Sequence, residues 1–242
     1  MSKTNVLVRS ADTVASSSGV KLVLYGESGA GKTVLAATCP SPIVISAESG
    51  LLSLKRRNIE RIFGVGNSNI VYEVPTICIK SMQDLGAAFE YVRQPGVCGT
   101  VFLDSISEIA EIVLSDEKAV AKDPRKAYGE MQDTLIDVIR DFREIVGKHV
   151  VMTAKLEWTK EQTGSSRFYP SMPGQKLSQM LPYHFDEVWR LVVGKDAQGN
   201  VLRALQTGLS PDSYAKDRSG ALAMYEEAHL GLAFQKILGD VA

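Results

Sequence analysis

The segment Gly26-Glu27-Ser28-Gly29-Ala30-Gly31-Lys32-Thr33 has the spacing GxxxxGK[ST], with an apolar run before it and the start of a helical pattern after it. Glycines at this spacing let the backbone wrap so that successive N–H groups face phosphate oxygens. Lys32 then supplies a mobile cation for the β and γ phosphates, and the Thr33 hydroxyl ligates magnesium. The chemistry implied is binding of a nucleoside triphosphate, ATP with Mg2+, along all eight residues. The competing reading, a glycine-rich turn with an exposed lysine, leaves the flanking strand and helix unexplained.

Acting on a bound triphosphate takes two further carboxylates, one for the metal and one for a water. Thr100-Val101-Phe102-Leu103-Asp104-Ser105 reads as a buried strand ending in an acid. Asp104 is assigned to magnesium, through water, and capping the helix from residue 106 is a compatible second role. Pro42-Ile43-Val44-Ile45-Ser46-Ala47-Glu48 ends the same way. Glu48 is the candidate general base, facing the γ-phosphate across one water; a solvated strand-end acid is the alternative.

These groups meet only if their strands run parallel and end at one edge, where open α/β sheets bind ligands. The pattern supports this. Apolar β-rich runs at 20–25, 43–47, 101–103 and 149–154 alternate with helical stretches at 33–38, 81–94, 106–121 and 128–146. Residues 81–94 open on a Ser-x-x-Asp cap and stop at Pro95-Gly96. Such alternation implies right-handed crossovers and a mostly parallel sheet with helices on both faces. After residue 180 the pattern changes. Strand-like runs at 187–193 and 200–207 flank Asp196-Ala197-Gln198-Gly199, a hairpin signal that puts antiparallel strands at the C-terminal edge, before a last helix at 225–238. Residues 1–19 read as a flexible arm, whose Val6-Leu7-Val8 run is able to add a strand on a neighbouring subunit, a frayed terminus being the alternative.

Composition narrows the classes. The 27 Lys and Arg against 28 Asp and Glu, a net charge of −1, exclude a uniformly basic nucleic-acid coat, so polyanion binding has to be local. Cys39, Cys78 and Cys98 are odd in number and widely spaced, which argues against a disulfide framework or zinc site and for a reducing cytoplasm. No apolar run approaches a membrane span.

A strand ending Ala-Glu soon after the phosphate loop, followed by one ending Leu-Asp-Ser, resembles the RecA recombinase core. The nearer likeness is to phage-encoded RecA-like ATPases, the phage nucleotide-binding proteins that include Sak-type single-strand annealing proteins, over residues 20–222. The resemblance implies one RecA-like ATPase domain over 20–242. It also implies a homo-oligomer, ring or filament, with active sites at subunit interfaces. Tyr214-Ala215-Lys216-Asp217-Arg218-Ser219-Gly220 is similar to the Lys-x-Arg-x-Gly segment that related ATPases present to a neighbour's nucleotide. Two cations one residue apart on an extended segment point the same way, so Lys216 and Arg218 are candidate catalytic residues acting in trans. An ordinary charged edge strand is the alternative.

Two segments match the DNA-binding loops of RecA-like recombinases. One, within 118–128, carries Lys122, Arg125 and Lys126. The other follows residue 154 with no clear periodicity and carries Lys155, Trp158, Lys160, Arg167, Phe168 and Lys176. Cations with interleaved aromatics suit backbone tracking and base stacking on single-stranded DNA; mobile surface of mixed charge is the competing reading. Lys155 stands about where RecA has a glutamine that senses the γ-phosphate. The function expected is an ATPase acting on single-stranded DNA in phage homologous recombination, by annealing or strand exchange, with a single-strand-binding protein as a further partner. An ATP-controlled oligomeric interaction module in phage DNA replication is the alternative. A small-molecule kinase is disfavoured because no acceptor pocket or arginine-rich lid is legible.

Overall fold

A computed structural model describes residues 8–48, 50–120, 123–161 and 164–239. The chain opens with α1 (Ala11–Ser18), β1 (Lys21–Tyr25), a 3₁₀ turn at Thr33–Thr38 and β2 (Pro42–Ser46). It continues through a 3₁₀ turn at Leu51–Leu54, α2 (Arg56–Phe63), β3 (Thr76–Cys78), α3 (Met82–Val92), β4 (Thr100–Asp104), α4 (Ile106–Val120) and α5 (Pro124–Arg143). Then come β5 (His149–Lys160), β6 (Ser166–Ser171), α6 (Gln175–Met180) and a 3₁₀ turn at Leu181–His184. β7 (Glu187–Lys195), β8 (Val201–Gln206), β9 (Lys216–Asp217), β10 (Tyr225–Glu227) and α7 (Leu230–Leu238) complete it.

The sheet order is β10-β8-β7-β1-β5-β4-β2-β3, with β6 on β5 and β9 on β7. From β7 to β3 all neighbours are parallel, whereas β8, β9, β10 and β6 are antiparallel to their partners. One strand, β5, lies between the phosphate-loop strand β1 and the Asp104 strand β4. The fold is the expected α/β architecture, a mostly parallel sheet covered by helices with antiparallel strands at the C-terminal edge.

Strand alternation builds two cores. Val23 and Tyr25 of β1, Ile43 and Ile45 of β2, and Val101 and Leu103 of β4 face α3, α4 and α5. Leu22, Leu24, Val44 and Phe102 face the opposite way, toward Leu35 and α7. Helix spacing answers on the first face: Ile106, Ile109, Ala110 and Val113 from α4 pack there with Met131, Leu135, Ile139 and Phe142 from α5. Fully burying each Leu, Ile or Phe contributes about 1.5–3 kcal/mol, which holds the strand ends in register at the site. Among the described residues no helix is long and apolar enough to cross a membrane.

Four expectations change. Residues 11–18 of the supposed flexible arm form α1, because Ser10 Oγ accepts the Thr13 N–H (3.1 Å) and caps it, while Gly147 N bonds the Ser17 carbonyl (3.0 Å). Met1 to Leu7, with most of the Val6-Leu7-Val8 run, lie outside the described residues. The helix after the phosphate loop is one 3₁₀ stretch, cut off before Pro40. The aperiodic segment after residue 154 is an antiparallel hairpin, β5 running on to Lys160 and pairing with β6 from Lys155↔Ser171 to Lys160↔Ser166. The last helix starts at Leu230, since Tyr225 to Glu227 are taken by pairing with β8.

Candidate active site

Tyr25 is level with Ala154, Ser46 with Asp104, and Leu103 with Met152, so Gly26, Lys155, Ser105 and Ala47 stand side by side where the parallel pairing ends. A side chain at Gly26 would put its Cβ 2.8 Å from the Leu191 carbonyl oxygen, so only glycine lets the loop turn this close to β7. The loop encloses one side of a cavity of ≈ 530 Å³ whose wall includes Gly31, Lys32, Thr33, Glu48, Asp104 and Lys155. The sequence assignments for the nucleotide, metal and base positions thus converge on one cavity.

Asp104 is 4% exposed at the cavity floor. Its Oδ2 accepts from Thr33 Oγ1 at 2.7 Å and its Oδ1 from Thr153 Oγ1 at 2.5 Å. Burial pushes its pKa up; the two hydroxyls and Lys32 pull it back, and Glu48 adds to the rise. Glu48 Oε1 accepts from Ser105 Oγ at 2.6 Å, and the Glu48 N–H bonds the Asp104 carbonyl at 3.3 Å. Lys32 Nζ is turned onto the loop's own carbonyls, Gly26 O at 2.8 Å and Glu27 O at 2.9 Å. Burial lowers its pKa, opposed by Asp104 and Glu48.

The donor set fits the expected groups. Ser53 Oγ, in a residue that lines the same cavity as Glu48, is buried with no hydrogen-bond partner among the described residues, as a hydroxyl able to meet a polar ligand would be. Thr33 Oγ1 and the Asp104 carboxylate are hard oxygen donors within 2.7 Å of one another. Magnesium takes one or two carboxylates with phosphate oxygens and water, so the absence of a cluster of three His, Cys, Asp or Glu among the described residues does not count against it.

Lys155, within β5, lines the same cavity. Its Nζ pairs with Glu108 Oε2 at 2.6 Å, and its backbone N bonds Ser107 Oγ at 3.0 Å. Glu108 raises its pKa, so the ammonium is held charged beside the triphosphate cavity.

The remaining assignments separate. Trp158 (56% exposed) and Lys160 stand on the outer part of the hairpin. Arg167 is paired with Glu161 at 3.0 Å. Phe168 is wedged between the Trp158 ring, centroids 4.6 Å apart, and the Arg190 guanidinium at 4.3 Å. Those two are therefore engaged inside the protein and not offered to bases as the aperiodic loop reading expected. Lys176 is exposed on α6. Arg125 and Lys126 are exposed on the first turn of α5, whose cap, Asp123, accepts the Arg125 N–H at 2.9 Å; a helix start replaces the expected loop. Lys122 lies outside the described residues.

Lys216 and Arg218 do point the same way, but into their own chain. Lys216 Nζ donates to Pro182 O (2.8 Å) and Phe185 O (2.5 Å), and Arg218 Nη1 to Asp186 Oδ1 (2.7 Å). β9 pairs with the first residues of β7, Glu187 and Val188, which are level with Leu22 and Val23, so neither cation reaches its own phosphate loop.

Sequence reasoning missed Thr153, Ser105, Ser53 and Glu108. Thr153 carried a signal: it is a polar residue inside the buried run 149–154, and a buried hydroxyl needs a partner. The others act through contacts across the fold that spacing does not encode.

Residues 18–219 match the family model described as AAA domain. No curated protein matches the chain. Among solved structures it is similar to the KaiC-like protein PH0186 from the hyperthermophilic archaeon Pyrococcus horikoshii OT3, at 13% identity over 78% of this chain and 77% of that one, with a TM-score of 0.44. With the family match spanning most of its length and a phosphate loop, an acid and a candidate base gathered at one sheet edge, this chain belongs to the AAA domain family and is a P-loop ATPase.

Proposed function

We propose that the protein couples ATP hydrolysis to single-stranded DNA held along the β5–β6 hairpin, and acts in phage homologous recombination by annealing or strand exchange. The observation that carries this reading is the continuity of β5. The strand passes beneath the nucleotide edge, presents Lys155 to the cavity, and runs on to the exposed Trp158 and Lys160. From Lys155, a change at the γ-phosphate has three residues to travel to the aromatic Trp158 and five to the cation Lys160, along one hydrogen-bonded ribbon suited to a stacked, charged strand.

The chemistry derived for the site is in-line attack of water on the γ-phosphorus. The new P–O bond forms as the β,γ-bridging oxygen departs with its electron pair on ADP, and the water's proton passes to the Glu48 carboxylate. Ser105, donating to Glu48 Oε1, restrains the carboxylate and leaves the proton to the other oxygen. Lys32 leaves the Gly26 and Glu27 carbonyls for the β and γ oxygens. Thr33 and Asp104 would hold magnesium, which when bound would supply charge neutralisation on the phosphates. In the oligomeric form of the proposal a neighbour's Lys216 and Arg218 complete the site, which requires their bonds to Pro182, Phe185 and Asp186 to be exchanged on assembly.

A second reading, an ATP-controlled oligomeric module, is favoured by one observation: Arg167 is already ion-paired with Glu161, and Phe168 is packed between Trp158 and Arg190 of β7. One experiment separates the two. For the double substitution Trp158→Ala with Lys160→Ala, single-stranded DNA affinity is expected to fall about 10–100-fold, with a shallower salt dependence and unchanged DNA-free turnover. Unchanged affinity, or turnover indifferent to DNA with assembly that follows nucleotide, overturns the DNA reading in favour of the second.

A further inference from the structure

β8 runs beside the phosphate loop, and one of its side chains is hooked over it. Arg203 Nε donates to the Ala30 carbonyl oxygen at 2.8 Å. A Cβ at Gly31 would come within 3.1 Å of the same nitrogen, so the guanidinium is packed directly against the Ala30–Gly31 peptide. Nothing in the spacing of 200–207 singles this arginine out.

The geometry of a peptide gives the contact a consequence. In a trans peptide the C=O of one residue and the N–H of the next point in opposite directions. Arg203 fixes the Ala30 carbonyl on the β8 side and thereby aims the Gly31 N–H the other way. Gly31 lines the nucleotide cavity, and its N–H makes no hydrogen bond within the described residues. Gly31 has φ 105, a region where glycine is free to swing, so this peptide needs an outside restraint. A charged donor on the carbonyl also polarises the amide and strengthens its N–H as a donor.

We propose that Arg203 is a positioning residue for the triphosphate: it orients and polarises the Ala30–Gly31 peptide so that the Gly31 N–H is preset toward a phosphate oxygen. It acts through the loop and does not touch the nucleotide. The proposal rests on the reading of Gly26 to Thr33 as the ATP site. It also makes the β7–β8 hairpin, whose Val193, Val201 and Leu202 are exposed, a lever on that site.

The test compares Arg203→Ala, Arg203→Gln and Arg203→Lys in steady-state hydrolysis, fluorescent ATP-analogue binding, and melting with and without ATP. Alanine and glutamine are expected to raise KM and Kd for ATP about tenfold while kcat falls less than threefold, on the scale of one charge-assisted hydrogen bond. Lysine, which keeps a charged donor, is expected to recover most of the affinity. A fall in the nucleotide-free melting temperature with KM and Kd unchanged overturns the proposal, because the contact is then only structural. If the alanine variant does not fold, glutamine and lysine carry the test, and glutamine binding as tightly as wild type overturns it. Lys32→Ala serves as the reference: if it too leaves ATP binding intact, the site reading itself has failed, whereas loss there with none at Arg203 refutes this inference alone.

Discussion

Replacing Glu48 by glutamine is expected to lower kcat by about 10²–10⁴-fold while ATP binding stays at least as tight as in the wild type. The amide keeps an oxygen for the Ser105 hydroxyl, so the backbone turn that ties residue 48 to the Asp104 carbonyl has no reason to move. What is lost is the ability to accept a proton. The sign on binding follows from charge: Glu48 is one of the groups acting electrostatically on Asp104 and Lys32, and removing a negative charge near an incoming triphosphate eases its entry. Fluorescent ATP-analogue titration alongside phosphate release decides it. Parallel loss of both would show Glu48 to be structural.

Asp104→Asn should act on the metal. An acid serving magnesium through water is expected to cost 10–100-fold in metal affinity when replaced, seen as a shift in the magnesium needed for half-maximal hydrolysis. The free protein should respond differently. Burial raises the Asp104 pKa above its unfolded value, so the contribution of this group to stability is full at low pH and is lost as pH rises through the folded pKa. Near neutral pH the asparagine therefore removes a desolvation penalty, set against poorer acceptance from Thr33 or Thr153, a loss of about 1–3 kcal/mol if one hydroxyl is orphaned. Melting without ligand is expected to change little, while the stabilisation given by ATP with magnesium, and removed by a chelator, largely disappears. Retention of the full magnesium-dependent rise in melting temperature would sink the metal assignment.

The phosphate loop was legible because its function is carried by backbone, and a backbone that wraps an anion demands glycine at fixed places. Asp104 and Glu48 were legible because parallel strands buried on both faces read as unbroken apolar runs whose last residues share an edge. The β5–β6 hairpin was not, for a physical reason. One of its faces is tied together by polar groups: Glu157 accepts from Thr159 and Ser171, and Glu161 accepts from Arg167 and Tyr169. Strands held by such a network show no hydrophobic alternation, and Pro170 opposite Leu156 reads as a break. The start of the last helix was misplaced for another reason: Tyr225 to Glu227 continue a helical pattern locally, but pairing with β8 overrides propensity. Arg203 belongs to a third kind. Its partner is 173 residues away, and only the assembled sheet brings the two together.

The hairpin also gives the molecule an optical property. The chain has two tryptophans, and they sit in opposite surroundings. Trp189 is fully buried, its indole N–H bonded to Glu187 Oε2 at 3.0 Å, whereas Trp158 is 56% exposed on the hairpin. Native emission is therefore the sum of a blue, shielded component and a red, quencher-accessible one. Acrylamide or a stacked base reaches the second alone, and chain unfolding moves the first. Occupancy of the hairpin and integrity of the core can be followed separately, in one cuvette, without attaching a dye.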